Sequence, residues 1–372
     1  MINQKAFVGT NSIAEMQCFI HSLSLKKVFL LRGKKSYVSC GAKDIMENVF
    51  SKEKLTVIEW CDFQENPKIE DLEKGLALFC ESAADIIIAV GGGSVLDMAK
   101  LLRFSYSYEG NLTGKDFVKR KKLVPLVAVP TTSGTGCETT PFSVCYKDQV
   151  KYSVAHPDMQ PDLAIIYPPF TYNNSPYLTA CTGFDALAQA IEAYWNVNAT
   201  PESDKYALEA ICLLWHSLPE AVNAPTQEVR NKMSQGAYLA GRAISVTKTT
   251  APHAFSYAFT TYCDYPHGHA VALTFPFFFE LNVRKFDGLL QKTISEGAYK
   301  AKMMCLTRLL KIDGVSYAIL FDYIKNIGLL SKGYKEDIKE MINKVNLERL
   351  SNNPVKISDE ILLNLEKYLY EH

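Results

Sequence analysis

A helical stretch near the middle of the chain carries two polar side chains where an apolar face would be expected. The segment GFDALAQAIEAYWN, residues 183–196, is mostly apolar, yet it contains Asp185 and Gln189. Positions four apart in an α-helix lie one above the other on the same face. A carboxylate oxygen and an amide oxygen are therefore expected on one face, and oxygen atoms of this kind bind divalent cations.

Histidines that would complete such a site follow in APHAFSYAFTTYCDYPHGHA, residues 251–270. His253 and His267 would each supply an imidazole nitrogen. Together with Asp185 and Gln189 they form a set of two nitrogen and two oxygen donors, which suits Fe²⁺ or Zn²⁺ and leaves one or two positions for a substrate. Spacing along the chain does not establish contact, and histidines that simply belong to the core are the alternative.

Two loops rich in glycine and hydroxyl groups form a second candidate site. GGGSVLDMAK, residues 91–100, follows an apolar strand pattern and opens a helix, where free backbone N–H groups favour a phosphate. PTTSGTGCE, residues 130–138, follows another strand pattern. Loops at the carboxyl ends of parallel strands meet at the edge where open α/β sheets bind ligands. We therefore predict a nucleotide site, as opposed to two unrelated turns, contacted by Gly92, Gly93, Ser94, Thr131 and Thr132.

A third strand pattern ends in RGKKSY, residues 32–37. Dinucleotide-binding folds place an acidic residue at this point to bind the adenosine ribose. Here Gly33 is followed by two lysines, which would suit the 2′-phosphate of NADP better than a bare ribose diol. A solvated basic turn is the alternative interpretation.

The elements that would position these residues divide the chain into two parts. Short β-rich runs such as DIIIAVGGG, residues 85–93, alternate with helical patterns in the first part and predict a parallel sheet with helices on both faces. Later segments show a 3.6-residue periodicity with few β-branched runs. We predict a dinucleotide-binding α/β domain over residues 1–163 and an all-helical metal- and substrate-binding domain over residues 164–372.

The composition is that of a globular protein with a sizeable core. Of the 372 residues, 48% are hydrophobic and 22% are charged, and the net charge is zero, which argues against a nucleic-acid partner. The apolar runs are shorter than the ~20 residues of a membrane span, and the N-terminus lacks a secretory pattern. Ten cysteines without a CxxC pair are typical of reduced thiols. We expect a cytoplasmic protein without a membrane partner.

These segments together resemble the iron-containing (group III) alcohol dehydrogenases. The matching pieces, in chain order, are Asn66-Pro67, GGGSVLDMAK, PTTSGTGCE, Lys151, TGFDALAQAIEAY and the histidine segment of residues 253–268. The resemblance implies a dinucleotide-binding domain followed by a helical metal domain, NAD(P)H as a cofactor, Fe²⁺ or Zn²⁺ as the metal, and a homodimer or larger oligomer. The metal ligands that it implies are Asp185, Gln189, His253 and His267. Roles for Asn66, Asp97 and Lys151 in cofactor binding rest on the resemblance alone.

The chain departs from the family pattern at three positions. Gln189 stands where the second ligand is usually a histidine, and a neutral amide binds a divalent ion more weakly than imidazole. Tyr257 stands where a histidine commonly follows the third ligand by four residues. VTKTTAP, residues 246–252, replaces an asparagine-glycine run. This last segment and PHGHAVAL make the chain most similar to the phosphonoacetaldehyde reductase branch.

Two basic residues upstream of His253 agree with an anionic substrate. Arg242 and Lys248 would hold a phosphonate by charge-assisted hydrogen bonds, with Lys248 as the preferred contact. Side chains that merely reach solvent are the alternative. We predict a metal-dependent, NAD(P)-linked alcohol dehydrogenase that reduces phosphonoacetaldehyde to 2-hydroxyethylphosphonate.

The remaining polar residues near the histidines have less specific interpretations. Tyr257 or His269 would return a proton to the alkoxide that develops on the substrate. Glu192 is interpreted as an exposed helix residue without a role. The alternative functions are a dehydrogenase of a neutral short-chain alcohol or diol, a dehydroquinate-synthase-like lyase on the same fold, and a nucleotide-binding protein whose metal site has decayed.

Overall fold

The computed structural model describes residues 4–114, 116–148, 150–312, 318–330, 337–345 and 347–371. The chain divides into two compact units, residues 1–174 and 175–372. The first unit contains all the described strands, and the second is helical. The predicted fold class is confirmed. None of the helices in the described ranges combines the length and the apolar character of a membrane span.

A six-stranded parallel sheet forms the centre of the first unit. The strands of this unit are β1 (Lys5–Val8), β2 (Lys27–Arg32), β3 (Thr56–Trp60), β4 (Ile86–Gly91), β5 (Tyr108–Glu109), β6 (Val118–Lys119), β7 (Leu126–Pro130), β8 (Phe142–Lys147), β9 (Val150–Ala155) and β10 (Leu163–Ile166). The large sheet has the order β1-β10-β7-β4-β2-β3, whereas β5-β6 and β8-β9 form antiparallel pairs. β4 and β7 are buried along their whole length, as central parallel strands are.

Helices cover both faces of this sheet. They are α1 (Ser12–Ser22), α2 (Ser36–Ser39), α3 (Ala42–Lys52), α4 (Ile69–Ser82) and α5 (Gly93–Ser107). Alternate residues of β2 point to opposite faces. Phe29 and Leu31 join the core that contains side chains of α4 and α5. Val28 and Leu30 join the core that contains side chains of α1 and α3.

The second unit is built around a helix that is buried on nearly every side. Its helices are α6 (Pro176–Trp195), α7 (Pro201–Asn223), α8 (Gln227–Thr247), α9 (Ala251–Tyr262), α10 (His267–Val283), α11 (Glu296–Leu310), α12 (Ala318–Asn326), α13 (Ile338–Asn343) and α14 (Asp359–Glu371). α6 begins at Pro176 after Ser175, whose side chain accepts a hydrogen bond from the Leu178 backbone N–H. α7, α8 and α10 pack against it.

The division between the units lies later than the boundary placed after residue 163. That boundary would cut off β10, whose residues Leu163 and Ala164 pair with β7 and with β1. The strand therefore completes the sheet of the first unit. The 3.6-residue periodicity indicates where the helical segments begin, but a strand of only four residues just before them, such as β10, has too short a pattern to be recognised.

Candidate functional site

Three polar side chains of α6 project into the interior of the second unit. Asp185, Gln189 and Glu192 are exposed by only 2%, 4% and 0%. Their spacings of four and three residues place them along one face of the helix. Buried polar groups need partners, so this stripe indicates a polar centre inside an otherwise apolar helical core.

The two predicted histidines meet Asp185 at this centre. His253 lies in the first turn of α9, and its Nε2 is 3.0 Å from Asp185 Oδ1. His267 is the first residue of α10, and its Nε2 is 3.8 Å from the same oxygen. One ligand atom from each of the three residues lies within 4.8 Å of the others. Residues far apart in the chain are thus brought to distances that suit shared coordination of one ion.

The oxygen of Gln189 supplies the fourth donor that a metal would require. Gln189 Oε1 is buried and has no hydrogen-bond partner among the described residues. Buried polar atoms are rarely left unpaired, and an unsatisfied one costs about 1–3 kcal/mol. Two imidazole nitrogens, a carboxylate oxygen and this amide oxygen fit a divalent transition-metal ion.

Hydrogen bonds at Nδ1 of each imidazole leave Nε2 pointing towards Asp185. His253 Nδ1 donates to Glu192 Oε1. Ser256 Oγ donates to the His253 carbonyl oxygen at 2.8 Å and lies 3.4 Å from His267 Nδ1, from which it accepts. Metal-binding histidines characteristically donate their second N–H in this way.

The charge around His253 depends on whether an ion is present. Burial lowers the pKa of His253, but the Glu192 and Asp185 carboxylates outweigh that effect and raise its pKa to about 9. In the absence of an ion the imidazole is therefore protonated at neutral pH. An ion that binds Nε2 must displace this proton.

Glu192 is a residue of this polar centre that the sequence interpretation missed. It was expected to be an exposed helix residue, and that expectation was wrong. Its carboxylate is fully buried and accepts hydrogen bonds from His253 and from Thr250. The spacing of three residues from Gln189 was the available signal.

The two candidate proton donors have different surroundings. The ring of Tyr257 stacks on that of His267, with centroids 5.6 Å apart and planes inclined by 2°. His269 is fully buried; its Nε2 lies 2.9 Å from the Leu330 carbonyl oxygen, and its Nδ1 lies 2.9 Å from Tyr177 Oη. A carbonyl only accepts, so Nε2 carries the proton and Nδ1 accepts from Tyr177. Both nitrogens of His269 are thus engaged, and we retain only Tyr257.

The two basic candidates for substrate binding also differ. The Arg242 guanidinium lies 3.1 Å from Tyr238 Oη, 3.0 Å from Tyr206 Oη and 4.7 Å from the Tyr206 ring centroid. These contacts hold it between α7 and α8, so we no longer assign Arg242 to the substrate.

Lys248 is exposed at the end of α8, where its backbone adopts φ 62° and ψ −173°. Such a conformation is strained for any residue except glycine.

The predicted nucleotide loops meet at one edge of the sheet in the first unit. The Thr131 N–H donates to the Gly91 carbonyl oxygen at 3.0 Å, and the Gly33 N–H donates to the Val90 carbonyl oxygen at 3.1 Å. The Asn66 N–H donates to Ser94 Oγ at 3.1 Å. The three loops therefore lie side by side at the carboxyl ends of β2, β4 and β7.

Three features of this edge concern the start of α5 and the loop beside it, and the first and last of them fit a bound nucleotide. α5 begins at Gly93, and the first N–H groups of a helix have no partner within it. A β-carbon on Gly93 would lie 3.1 Å from Thr135, so a side chain there would crowd the neighbouring loop. Thr131 Oγ1 is buried and, within the described ranges, has no hydrogen-bond partner. It is therefore available to a ligand.

The remaining cofactor candidates have defined places in the first unit. Asp97 Oδ1 forms an ion pair with Lys100 Nζ at 3.2 Å, and Asp97 Oδ2 accepts from the Val144 N–H at 3.3 Å. Lys151 lies on β9 opposite Tyr146 of β8. Thr132, next to the buried Thr131, is partly exposed.

Two family models match the chain over most of its length. The model described as iron-containing alcohol dehydrogenase matches residues 3–168, and that described as the C-terminal part of the Fe-containing alcohol dehydrogenase family matches residues 179–360. The chain belongs to the iron-containing alcohol dehydrogenase family. It is therefore an oxidoreductase of alcohols or aldehydes, and the lyase alternative is dropped.

Individual proteins to which this chain is similar agree with this assignment. Long-chain-alcohol dehydrogenase 1 of Geobacillus thermodenitrificans is 35% identical over 277 residues, which are 73% of this chain and 70% of that protein. 1,3-Propanediol dehydrogenase of Klebsiella pneumoniae is 32% identical over 276 residues, which are 73% of this chain and 71% of that protein. The structure of sulfoacetaldehyde reductase from Bifidobacterium kashiwanohense in complex with NAD⁺ is similar with a TM-score of 0.85 at 26% identity, covering 99% of this chain and 97% of that chain.

Proposed function

We propose that this chain is a metal-dependent, NAD(P)-linked aldehyde reductase that converts phosphonoacetaldehyde to 2-hydroxyethylphosphonate. The observation that carries the metal dependence is the convergence of Asp185, His253 and His267 atoms within 4.8 Å of one another. The unpartnered oxygen of Gln189 supports a fourth contact. Fe²⁺ is the metal that we expect, with Zn²⁺ as the alternative.

The chemistry of the reaction would be shared between the bound groups and the side chains. When bound, the ion would supply polarisation of the substrate carbonyl oxygen and the reduced nicotinamide would supply a hydride. The buried Asp185 carboxylate would hold the ion by its charge. Tyr257, stacked on His267, would donate the proton that the product alcohol requires.

The nucleotide would bind at the carboxyl edge of the sheet in the first unit. The start of α5 would hold its phosphates through Gly92, Gly93 and Ser94, because helix N-termini favour anions. Thr131 and Thr132 would add hydroxyl contacts, and Gly33, whose missing β-carbon makes room for Ser36 Oγ, would lie at the adenosine end. Asn66, Asp97 and Lys151 complete the set that we propose for the cofactor.

The preference for a phosphonate depends on Lys248. This side chain is exposed at the end of α8, two residues before Thr250 at the start of α9, which carries His253. An ammonium group there would bind an anionic tail by charge-assisted hydrogen bonds. The similar structure of sulfoacetaldehyde reductase supports an aldehyde that carries an anionic group.

A neutral alcohol or diol is the second candidate. The relatives named after long-chain alcohols and 1,3-propanediol favour it. An uncharged substrate would form no ion pair with Lys248. Removal of the Lys248 ammonium group should therefore raise the Michaelis constant for a phosphonate substrate but not for a neutral one.

A substrate panel would distinguish these candidates. The protein, loaded with Fe²⁺ or Zn²⁺, would be assayed with NADH and NADPH against phosphonoacetaldehyde, sulfoacetaldehyde, propanal and 3-hydroxypropanal. We expect the highest kcat/KM with phosphonoacetaldehyde and no turnover without metal. A higher kcat/KM with either neutral aldehyde would contradict the phosphonate assignment, and full turnover of the metal-free protein would contradict the metal dependence.

A further inference from the structure

A buried carboxylate contacts His253 on the side away from Asp185. Glu192 is fully buried on α6, and its Oε1 accepts a hydrogen bond from His253 Nδ1. His253 Nε2 lies 3.0 Å from Asp185 Oδ1. The imidazole ring is therefore held between two carboxylates, one at each nitrogen.

Glu192 is itself held in place by the start of α9. Its Oε2 accepts from the Thr250 N–H at 2.6 Å and from the Thr250 hydroxyl at 2.8 Å. Trp195 Nε1 donates to Thr250 Oγ1 at 2.9 Å. Thr250 is the N-cap residue of α9, and a negative charge is stabilised at a helix N-terminus. The carboxylate therefore cannot rotate without breaking several hydrogen bonds.

We propose that Glu192 is a positioning residue that fixes the ring orientation and tautomer of His253 for metal binding. An ionised carboxylate only accepts hydrogen bonds, so Glu192 keeps a proton on His253 Nδ1. An ion that displaces the proton on Nε2 would then meet the lone pair of that nitrogen. This inference rests on the metal dependence proposed above. It assigns to the site a residue that is not one of the four candidate ligands.

The charge of the site gives Glu192 a second effect. Asp185 and Glu192 together carry two negative charges, both buried. A divalent cation compensates them when the imidazoles and the Gln189 amide are neutral, and buried charge is tolerated only when it is compensated. A carboxylate behind a ligand histidine also raises the basicity of that ligand. Because Gln189 offers only a neutral amide oxygen, this contribution matters more here.

Metal affinity in the absence of turnover tests the inference. The Kd for Zn²⁺ would be measured by chelator competition for the wild type, for Glu192→Gln and for Glu209→Gln. Glu209 is exposed on α7, so its variant is a matched control for the chemical change. We expect Glu192→Gln to bind Zn²⁺ about 10–100-fold more weakly, and Glu209→Gln to bind as the wild type does.

The visible absorption of bound Co²⁺ separates positioning from helix capping. We expect the ligand-field bands of Glu192→Gln to shift, because an imidazole ligand has changed its orientation. If Glu192 only caps α9, its replacement lowers the Tm but leaves the Co²⁺ bands and the Zn²⁺ affinity unchanged. That result would overturn the inference.

A second pair of variants covers the case in which Glu192→Gln does not fold. Thr250→Val removes the hydroxyl that donates to Glu192, and Thr250→Ser keeps it. We expect Thr250→Val to bind Zn²⁺ more weakly and Thr250→Ser to bind it as the wild type does. Wild-type affinity in Thr250→Val would overturn the inference.

The wild-type protein separates this inference from the proposed function. A wild type that binds no Zn²⁺ would overturn the proposed metal dependence as well, whereas a wild type that binds Zn²⁺, with variants that bind it equally well, would overturn this inference alone.

Discussion

Gly268 lies directly against the carbonyl oxygen of Cys181. A β-carbon on Gly268 would stand 1.9 Å from that oxygen and 3.0 Å from the β-carbon of Asp185. The start of α10 therefore approaches α6 closely because residue 268 has no side chain. This approach brings His267, the residue before it, beside Asp185.

Replacement of Gly268 by alanine is expected to displace the start of α10. The added β-carbon must move away from a backbone carbonyl, so we expect a loss of about 1–3 kcal/mol in the free energy of unfolding and weaker Zn²⁺ binding. Gly297 is the matched control: it also occupies the second position of a helix, but a β-carbon added there would meet no atom of the described residues within 4 Å. Gly297→Ala should leave metal binding unchanged. An unaltered Zn²⁺ Kd in Gly268→Ala would contradict the role assigned to this contact.

His267→Ala is expected to abolish metal retention and turnover together. The His267 side chain is 30% exposed, so its removal should leave the protein folded. Metal content per chain after gel filtration, together with circular dichroism, would check this. A variant that keeps full metal content but loses activity would contradict the assignment of His267 as a ligand.

Gln189→His is expected to strengthen metal binding. Imidazole is a better donor than a neutral amide for Fe²⁺ or Zn²⁺, so we expect at least about a tenfold lower Kd, or about 1.4 kcal/mol. Chelator competition would measure the change. An unchanged Kd would mean that the oxygen of Gln189 does not touch the ion.

Lys248→Gly is expected to change stability and substrate binding in opposite directions. Glycine relieves the backbone strain at φ 62°, which should raise the free energy of unfolding by about 1 kcal/mol. Loss of the ammonium group should raise the KM for phosphonoacetaldehyde far more than that for propanal. Lys248→Ala removes the same charge without the backbone relief, so it should share the effect on KM only. Equal changes in KM for the two aldehydes would remove Lys248 from the substrate site.

Glu138→Gln is expected to stabilise the protein at high pH. Burial raises the pKa of Glu138 to about 7 from an ordinary 4.5, against smaller opposing effects of its own backbone N–H and of Lys100. The folded state binds the proton of the Glu138 carboxyl group more tightly than the unfolded state does. Protonation therefore stabilises the fold fully below pH 4.5, the pKa in the unfolded chain, and this stabilisation is lost as the pH rises through 7. Gln is neutral at every pH. The free energy of unfolding of the variant, relative to that of the wild type, should therefore be about 2 kcal/mol higher at pH 8 than at pH 5. Urea unfolding at both pH values would check this, and an equal change at both would contradict it.

The parallel sheet and its loops could be predicted because their patterns are local. β4 is buried on both faces, so its sequence is a continuous apolar run that ends in glycine. The same holds for β7 before Thr131. Parallel pairing then requires the loops after these strands to share an edge, as the hydrogen bond between Thr131 and Gly91 shows.

The surroundings of individual side chains in the second unit could not be predicted in the same way. The interpretation of Glu192 assumed that a helix keeps a solvent-facing side, but α6 is buried on nearly every side. Arg242 was placed by its proximity to His253 in the chain, whereas its direction from α8 takes it to Tyr206. Sequence distance carries no information on these directions.

The oxygen of Gln189 and the buried carboxylates beside it would make the thermal stability of this protein depend on its supply of the proposed metal. A ligand that binds only the folded state adds stability that grows with the logarithm of its concentration. Molecules stripped by a chelator would unfold and aggregate sooner than loaded ones, so a heating step after expression would enrich the loaded fraction.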